Sequence, residues 1–152
     1  MIISDYDPLI VVNEKISIVN DYTQYETNQI RALLNSWINQ TPKESEIRKD
    51  YCEICATRGV PFQGHHIAGE KHDDRQNTTC IPCHSIITKR QKIWDARWDE
   101  KTDSETLKIA FFYRGLYEIL ILMAEKRQNL LYARIADSLI DPIAYLMRYE
   151  QN

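Results

Sequence analysis

All four cysteines and all four histidines of this 152-residue chain fall in one stretch: Cys52, Cys55, His65, His66, His72, Cys80, Cys83 and His84. Thiolates and imidazoles are the side chains that hold borderline transition-metal ions, so the clustering is first a metal signature. Cys52-Glu53-Ile54-Cys55 and Cys80-Ile81-Pro82-Cys83 are two C-x-x-C pairs. That spacing lets one short turn aim two thiolates at the same tetrahedral ion, and the doubled pair predicts a structural zinc held by Cys52, Cys55, Cys80 and Cys83. The competing readings are two disulfides, free core cysteines, or one redox-active C-x-x-C. Met1-Ile2-Ile3-Ser4-Asp5-Tyr6-Asp7 has neither the basic nor the long apolar region of an export signal. This disfavours a secreted disulfide domain and leads to the expectation of a cytoplasmic protein. The flanks also lack the βαβ context of a thioredoxin-type site.

Four thiolates close a tetrahedral site, so Gly64-His65-His66-Ile67-Ala68-Gly69 and the His84 that follows Cys83 leave imidazoles without a task. Val60 to Ile67 reads as a short extended segment, in which neighbouring side chains point to opposite faces. His65 and His66 therefore divide their roles: one is free to bind a metal while the other moves protons. The plainer readings are a hydrogen-bonded histidine pair without catalytic use, a His84 that replaces a cysteine at the zinc, and a His72 that is a polar turn residue in the surface-loop run Glu70 to Asn77.

These residues resemble the HNH endonucleases, in the subgroup whose ββα-metal site is clamped by two zinc knuckles. The resemblance spans roughly positions 51 to 98 and rests on Tyr51-Cys52-x-x-Cys55, His65-His66-Ile67-Ala68-Gly69, Lys71-His72-Asp73-Asp74, Cys80-x-x-Cys83-His84 and Thr88 to Trp94. It implies that His65 and His84 hold a catalytic divalent ion and that His66 is the general base. Many members carry an asparagine about five residues before the second cysteine pair, where it orients the base. Here that position is Arg75, and Asp74 or Asn77 is left to take the orienting role.

The chemistry is coherent on physical grounds. Phosphodiester hydrolysis needs a base to activate water, and an imidazole titrating near neutrality suits it. It also needs a cation on the departing oxygen, held by few protein ligands so that positions stay open. Mg2+, Mn2+, Zn2+ and Ni2+ are all compatible, although two nitrogen ligands lean away from magnesium. A net charge of −3 is unusual for a nucleic-acid binder, and the first fifty residues carry the whole deficit. Lys89, Arg90, Lys92 and Arg97 are nevertheless interleaved with Trp94 and Trp98 just after His84, a local set of phosphate contacts and stacking surfaces. A solvated helix with core tryptophans is the plainer reading of the same stretch.

The elements that must position these residues are mostly helical. Ile30, Leu33, Leu34, Trp37 and Ile38 recur at helical spacing, predicting an amphipathic helix from about Tyr22 to Gln40, ended by Thr41-Pro42. Leu9 to Val12 and Ile16 to Val19 read as short strands, and Glu44 to Asp50 as a second helix running into the first cysteine pair. Asp103-Ser104-Glu105 caps a long helix through Leu107, Phe111, Phe112, Leu116, Ile119, Leu120 and Met123. Residues 109 to 124 are interrupted by Arg114 and Glu118 and fall short of the roughly 20 residues of a membrane span, so no membrane association is expected. Leu130 to Ile140 forms another helical pattern, and Asp141-Pro142 reads as the cap and first position of a last helical turn or two ending near Tyr149. These helices cover a core within one chain or pair with a second copy as a homodimer.

The expectation is a mostly helical α+β protein: an N-terminal scaffold over 1–50, a zinc-clamped ββα-metal core resembling HNH nucleases over 51–100, and a C-terminal helical hairpin over 101–152. Its expected function is metal-dependent endonuclease cleavage of phosphodiester bonds, with DNA favoured by the resemblance. The alternative is a catalytically inactive zinc-stabilised module that binds nucleic acid or protein.

Overall fold

The structure is a computed structural model that describes residues 8–151. Met1 to Asp7, read above for the lack of an export signal, lies outside them. The architecture is mostly helical α+β with one small antiparallel sheet. In chain order the elements are α1 (Pro8–Ile38), α2 (Pro42–Ser45), β1 (Phe62–His66), β2 (Gln76–Cys80), α3 (Ile81–Gln91), a short 3-10 helix (Ala96–Asp99), α4 (Glu105–Arg127), α5 (Leu130–Asp137) and α6 (Ile140–Gln151). The chain divides after Ser36 into two compact units.

The helix expected from Tyr22 is present but begins at Pro8, so Leu9 to Val12 and Ile16 to Val19 are helical rather than strands. The β-branched residues there have no partner strand, because the only strands among the described residues are β1 and β2, and these pair with each other. A helix satisfies its own backbone, and proline is tolerated at its first position.

α2 is one turn and does not run on to Asp50. Thr41 caps it, with its hydroxyl accepting from the Glu44 N–H and the Glu44 carboxylate accepting in return from the Thr41 N–H. Beyond Ser45 the chain bonds instead to β2. The Lys49 N–H donates to Thr78 Oγ1 at 3.0 Å, and the Arg48 guanidinium donates to Gln76 Oε1 at 2.7 Å. The Gln40 side-chain amide clasps the main chain of Gln76 from both sides, donating to its carbonyl and accepting from its N–H.

Ser104 caps α4 as expected, accepting from the Leu107 N–H at 3.1 Å. The apolar residues named from the sequence, from Leu107 to Met123, are buried along it. Two helices, α5 and α6, pack on α4, so the three helical stretches read from the sequence are all present and form more than a simple hairpin. α6 starts at Ile140, which puts Asp141 and Pro142 inside its first turn. No helix of the described residues is long and apolar enough to cross a membrane.

Candidate functional site

The four cysteines converge. Cys52 and Cys55 sit on a tight turn, Cys80 ends β2 at the residue preceding α3, and Cys83 lies in the first turn of α3. Their sulfurs all lie within 4.8 Å of one another, and Cys55 and Cys80 approach to 3.7 Å without forming a disulfide. Four sulfurs each about 2.3 Å from one tetrahedral ion stand about 3.8 Å apart, so the cluster has the dimensions of a four-thiolate metal site. The thiols already share their protons unevenly. The hydrogen bond with Cys83 pulls Cys52 down to about 4, while the same contact pushes Cys83 up, and burial pushes Cys80 up. Thiolates this close cannot all ionise without a cation among them, which is the condition a structural metal meets.

Glu53, between the first two cysteines, is buried at 3 % exposure. Its carboxylate accepts from the Trp37 indole at 3.0 Å and from the Thr78 N–H at 2.9 Å, and pairs with Lys49 at 3.3 Å. From the other side Arg127, at the end of α4, donates to the carbonyls of Glu53 and Ile54, each at 2.8 Å. The first cysteine turn is thus sewn to β2 and to α4 by a glutamate and an arginine that spacing rules for metal ligands do not single out.

β1 and β2 are antiparallel with His65 opposite Asn77 and His66 opposite Gln76. His84, on α3, meets the ring of His65 edge-on with centroids 5.4 Å apart. His65 is 2 % exposed, and its Nε2 is buried with no hydrogen-bond partner. Burial first, then the charges of His84 and His66, push its pKa down to about 3, which favours the neutral ring. Burial, helped by His66, lowers His84 as well. A buried, neutral, unpartnered imidazole beside a second one suits a divalent cation.

Of the residues expected to orient His66, Asp74 is exposed and Asn77 is buried opposite His65 with both amide atoms unpartnered. The carboxylate that feels His66 is Asp73. Burial raises it, but the hydrogen bonds and charge of Arg75 outweigh that and hold it below the usual carboxylate range, with His66 acting in the same direction. Arg75 grips Asp73 at 2.7 to 2.8 Å and stacks on Phe112 at 3.6 Å.

The segment after His66 is held rigidly. The Gln91 amide donates to the carbonyls of His66 and Ile67 at 3.4 and 3.2 Å. Trp98 donates its indole N–H to the Ala68 carbonyl at 3.0 Å and covers Gly69, whose φ of +99° and close indole leave no room for a Cβ. His72 is not the surface-loop residue expected. It is 6 % exposed, donates from Nε2 to the Trp98 carbonyl at 2.6 Å, and packs on Phe111 at 4.6 Å. A polar run reads as surface, yet here Trp98 and Phe111 close over its middle.

The four basic residues differ in their freedom. Arg90 pairs with Glu125 at 3.0 Å and Arg97 with Asp95 at 3.0 Å, whereas Lys89 and Lys92 are exposed. Trp98 is occupied in holding Ala68, and Trp94 stacks edge-on against it with centroids 6.0 Å apart. No family model, no curated protein and no solved structure matches this chain.

Proposed function

We propose that the protein is a metal-dependent endonuclease that hydrolyses phosphodiester bonds, DNA being its favoured substrate, with a structural zinc on Cys52, Cys55, Cys80 and Cys83. The observation that carries the reading is the meeting of His65 and His84, 5.4 Å between ring centroids, with the buried Nε2 of His65 unpartnered. Both belong to a strand-strand-helix succession whose other end is the cysteine cluster. A divalent ion on these imidazoles would supply Lewis acidity to the phosphate and its leaving oxygen. His66, half-exposed at the end of β1, takes the proton from the attacking water. Gln91 fixes the carbonyl of His66 and so its place on the strand. Lys89 and Lys92 contact backbone phosphates.

The second reading, a zinc-stabilised binding module that does not cut, is favoured by one feature: of the two residues expected to orient His66, Asp74 is exposed and Asn77 stands opposite His65. Plasmid cleavage by the zinc-loaded protein with magnesium or manganese, run beside His66→Ala with a zinc count on both, separates the two. Nicking lost in His66→Ala at unchanged zinc content supports the nuclease. DNA binding without turnover in either protein supports the module.

A further inference from the structure

The two faces of the β1–β2 hairpin are differently filled. On one, Gly64 lies against the hydrogen-bonded pair of Arg48 and Gln76, so close that a Cβ would overlap both. His65 and Asn77, directly opposed in register, point to the other face, where α3 packs and His84 reaches the His65 ring. Opposed cross-strand residues bring their Cβ atoms within about 4.5 to 5.5 Å. Asn77 is 1 % exposed, and neither its Oδ1 nor its Nδ2 has a partner; nor has the Nε2 of His65. Turning the amide over does not help, since both its ends are free. A buried polar group left unsatisfied forfeits the hydration it had in the unfolded chain, and the two of these atoms that can offer a lone pair, Asn77 Oδ1 and His65 Nε2, ask for a common occupant on this face.

We infer that Asn77 is a third ligand of the divalent ion on His65 and His84, coordinating through Oδ1. This rests on the proposed metal role of the two histidines but not on cleavage. It gives Asn77 a task other than orienting His66, from which strand alternation points it away. Two imidazoles and one amide oxygen are all neutral. They leave the ion's double positive charge to be met by an anionic ligand such as a phosphodiester, and their mixture of nitrogen and oxygen suits manganese.

The test is a Mn2+ titration of protein loaded with one equivalent of Zn2+ per chain, enough for the cysteine cluster alone, followed by electron paramagnetic resonance of free Mn2+, with zinc content measured alongside. The wild type is expected to bind one Mn2+ per chain. Asn77→Ala is expected to weaken it at least about tenfold, the loss that even a supporting residue at a metal site carries. Asn77→Asp, which supplies an anionic oxygen at the same place, is expected to bind at least as tightly as the wild type. If the alanine variant does not fold, the aspartate variant decides, since weaker binding there overturns the inference. Wild-type affinity in Asn77→Ala with binding lost in His84→Ala removes Asn77 from the site and leaves the metal reading standing. A wild type that binds no Mn2+ overturns the inference outright. Mn2+ binding that depends on Asn77 in a protein that cuts no DNA upholds the inference and sinks the nuclease.

Discussion

Gly115 of α4 lies directly against the carbonyl of Ile67, the residue after His66, and a Cβ at 115 would overlap that oxygen. Within a helix alanine is favoured over glycine by about 1 kcal/mol. Here the obstacle is backbone, which cannot swing aside as a side-chain tip can, and such overpacking costs about 1 to 3 kcal/mol. The second effect wins. Gly115→Ala is expected to lower stability by up to about 2 kcal/mol in urea unfolding, and a raised midpoint would refute the close approach of α4 to the histidine strand.

Arg127 links the C-terminal helices to the candidate zinc turn through two carbonyls at 2.8 Å. Hydrogen bonds from a charged donor contribute about 1.5 to 3 kcal/mol each when well shielded, and these are part-buried. Arg127→Ala is expected to destabilise the protein by about 2 kcal/mol and to speed zinc loss to a chelating dye several-fold. Arg127→Lys should recover little, because one ammonium does not reproduce a fork that spans two carbonyls. Zinc release at the wild-type rate in Arg127→Ala would show that the turn holds its shape unaided.

What the sequence disclosed follows from which interactions are local. The two C-x-x-C pairs were legible because ligand spacing within a turn is a local property, and the α4 cap and apolar face were legible for the same reason. The strands read at Leu9 and Ile16 failed because β-branched runs become strands only with a partner, and no sequence window contains the partner. The burial of His72 was hidden because Trp98 comes from 26 positions away and Phe111 from farther still. Glu53 and Arg127 were hidden likewise, since a charged residue is read as exposed until its buried acceptors or donors are found elsewhere in the chain.

The Asp73 carboxyl, held by Arg75 below its ordinary value of 3.8, ties stability to pH. A carboxylate depressed in the folded state adds stability that is complete above its unfolded pKa and disappears as pH falls through the folded one. Asp73→Asn should therefore be less stable than the wild type by a constant margin from pH 7 down to about 5, with the margin closing below 3.8. The difference between the two proteins is the quantity to measure by denaturant unfolding, because acid also protonates the four-cysteine cluster in both. A margin that persists undiminished at about pH 3 would mean that Asp73 acts by shape and not by charge.

Lys89 and Lys92 are exposed at the C-terminal end of α3, whereas Arg90 and Arg97 are committed to Glu125 and Asp95. If the helix end meets a nucleic-acid backbone, the two lysines make the contact and the two arginines hold the protein together. Each phosphate contact removed should lower the slope of log affinity against log salt by about 0.9 on duplex DNA. Replacing both lysines by alanine should thus reduce the slope by about 2, weaken binding on every sequence alike, and leave thermal stability unchanged. Arg90→Ala should instead lower stability while shifting the slope less, since freeing Glu125 leaves an unpaired carboxylate next to α3. Salt titrations of fluorescence anisotropy on one duplex, read beside melting curves, separate the two classes, and a double lysine variant with the wild-type slope would remove α3 from the interface.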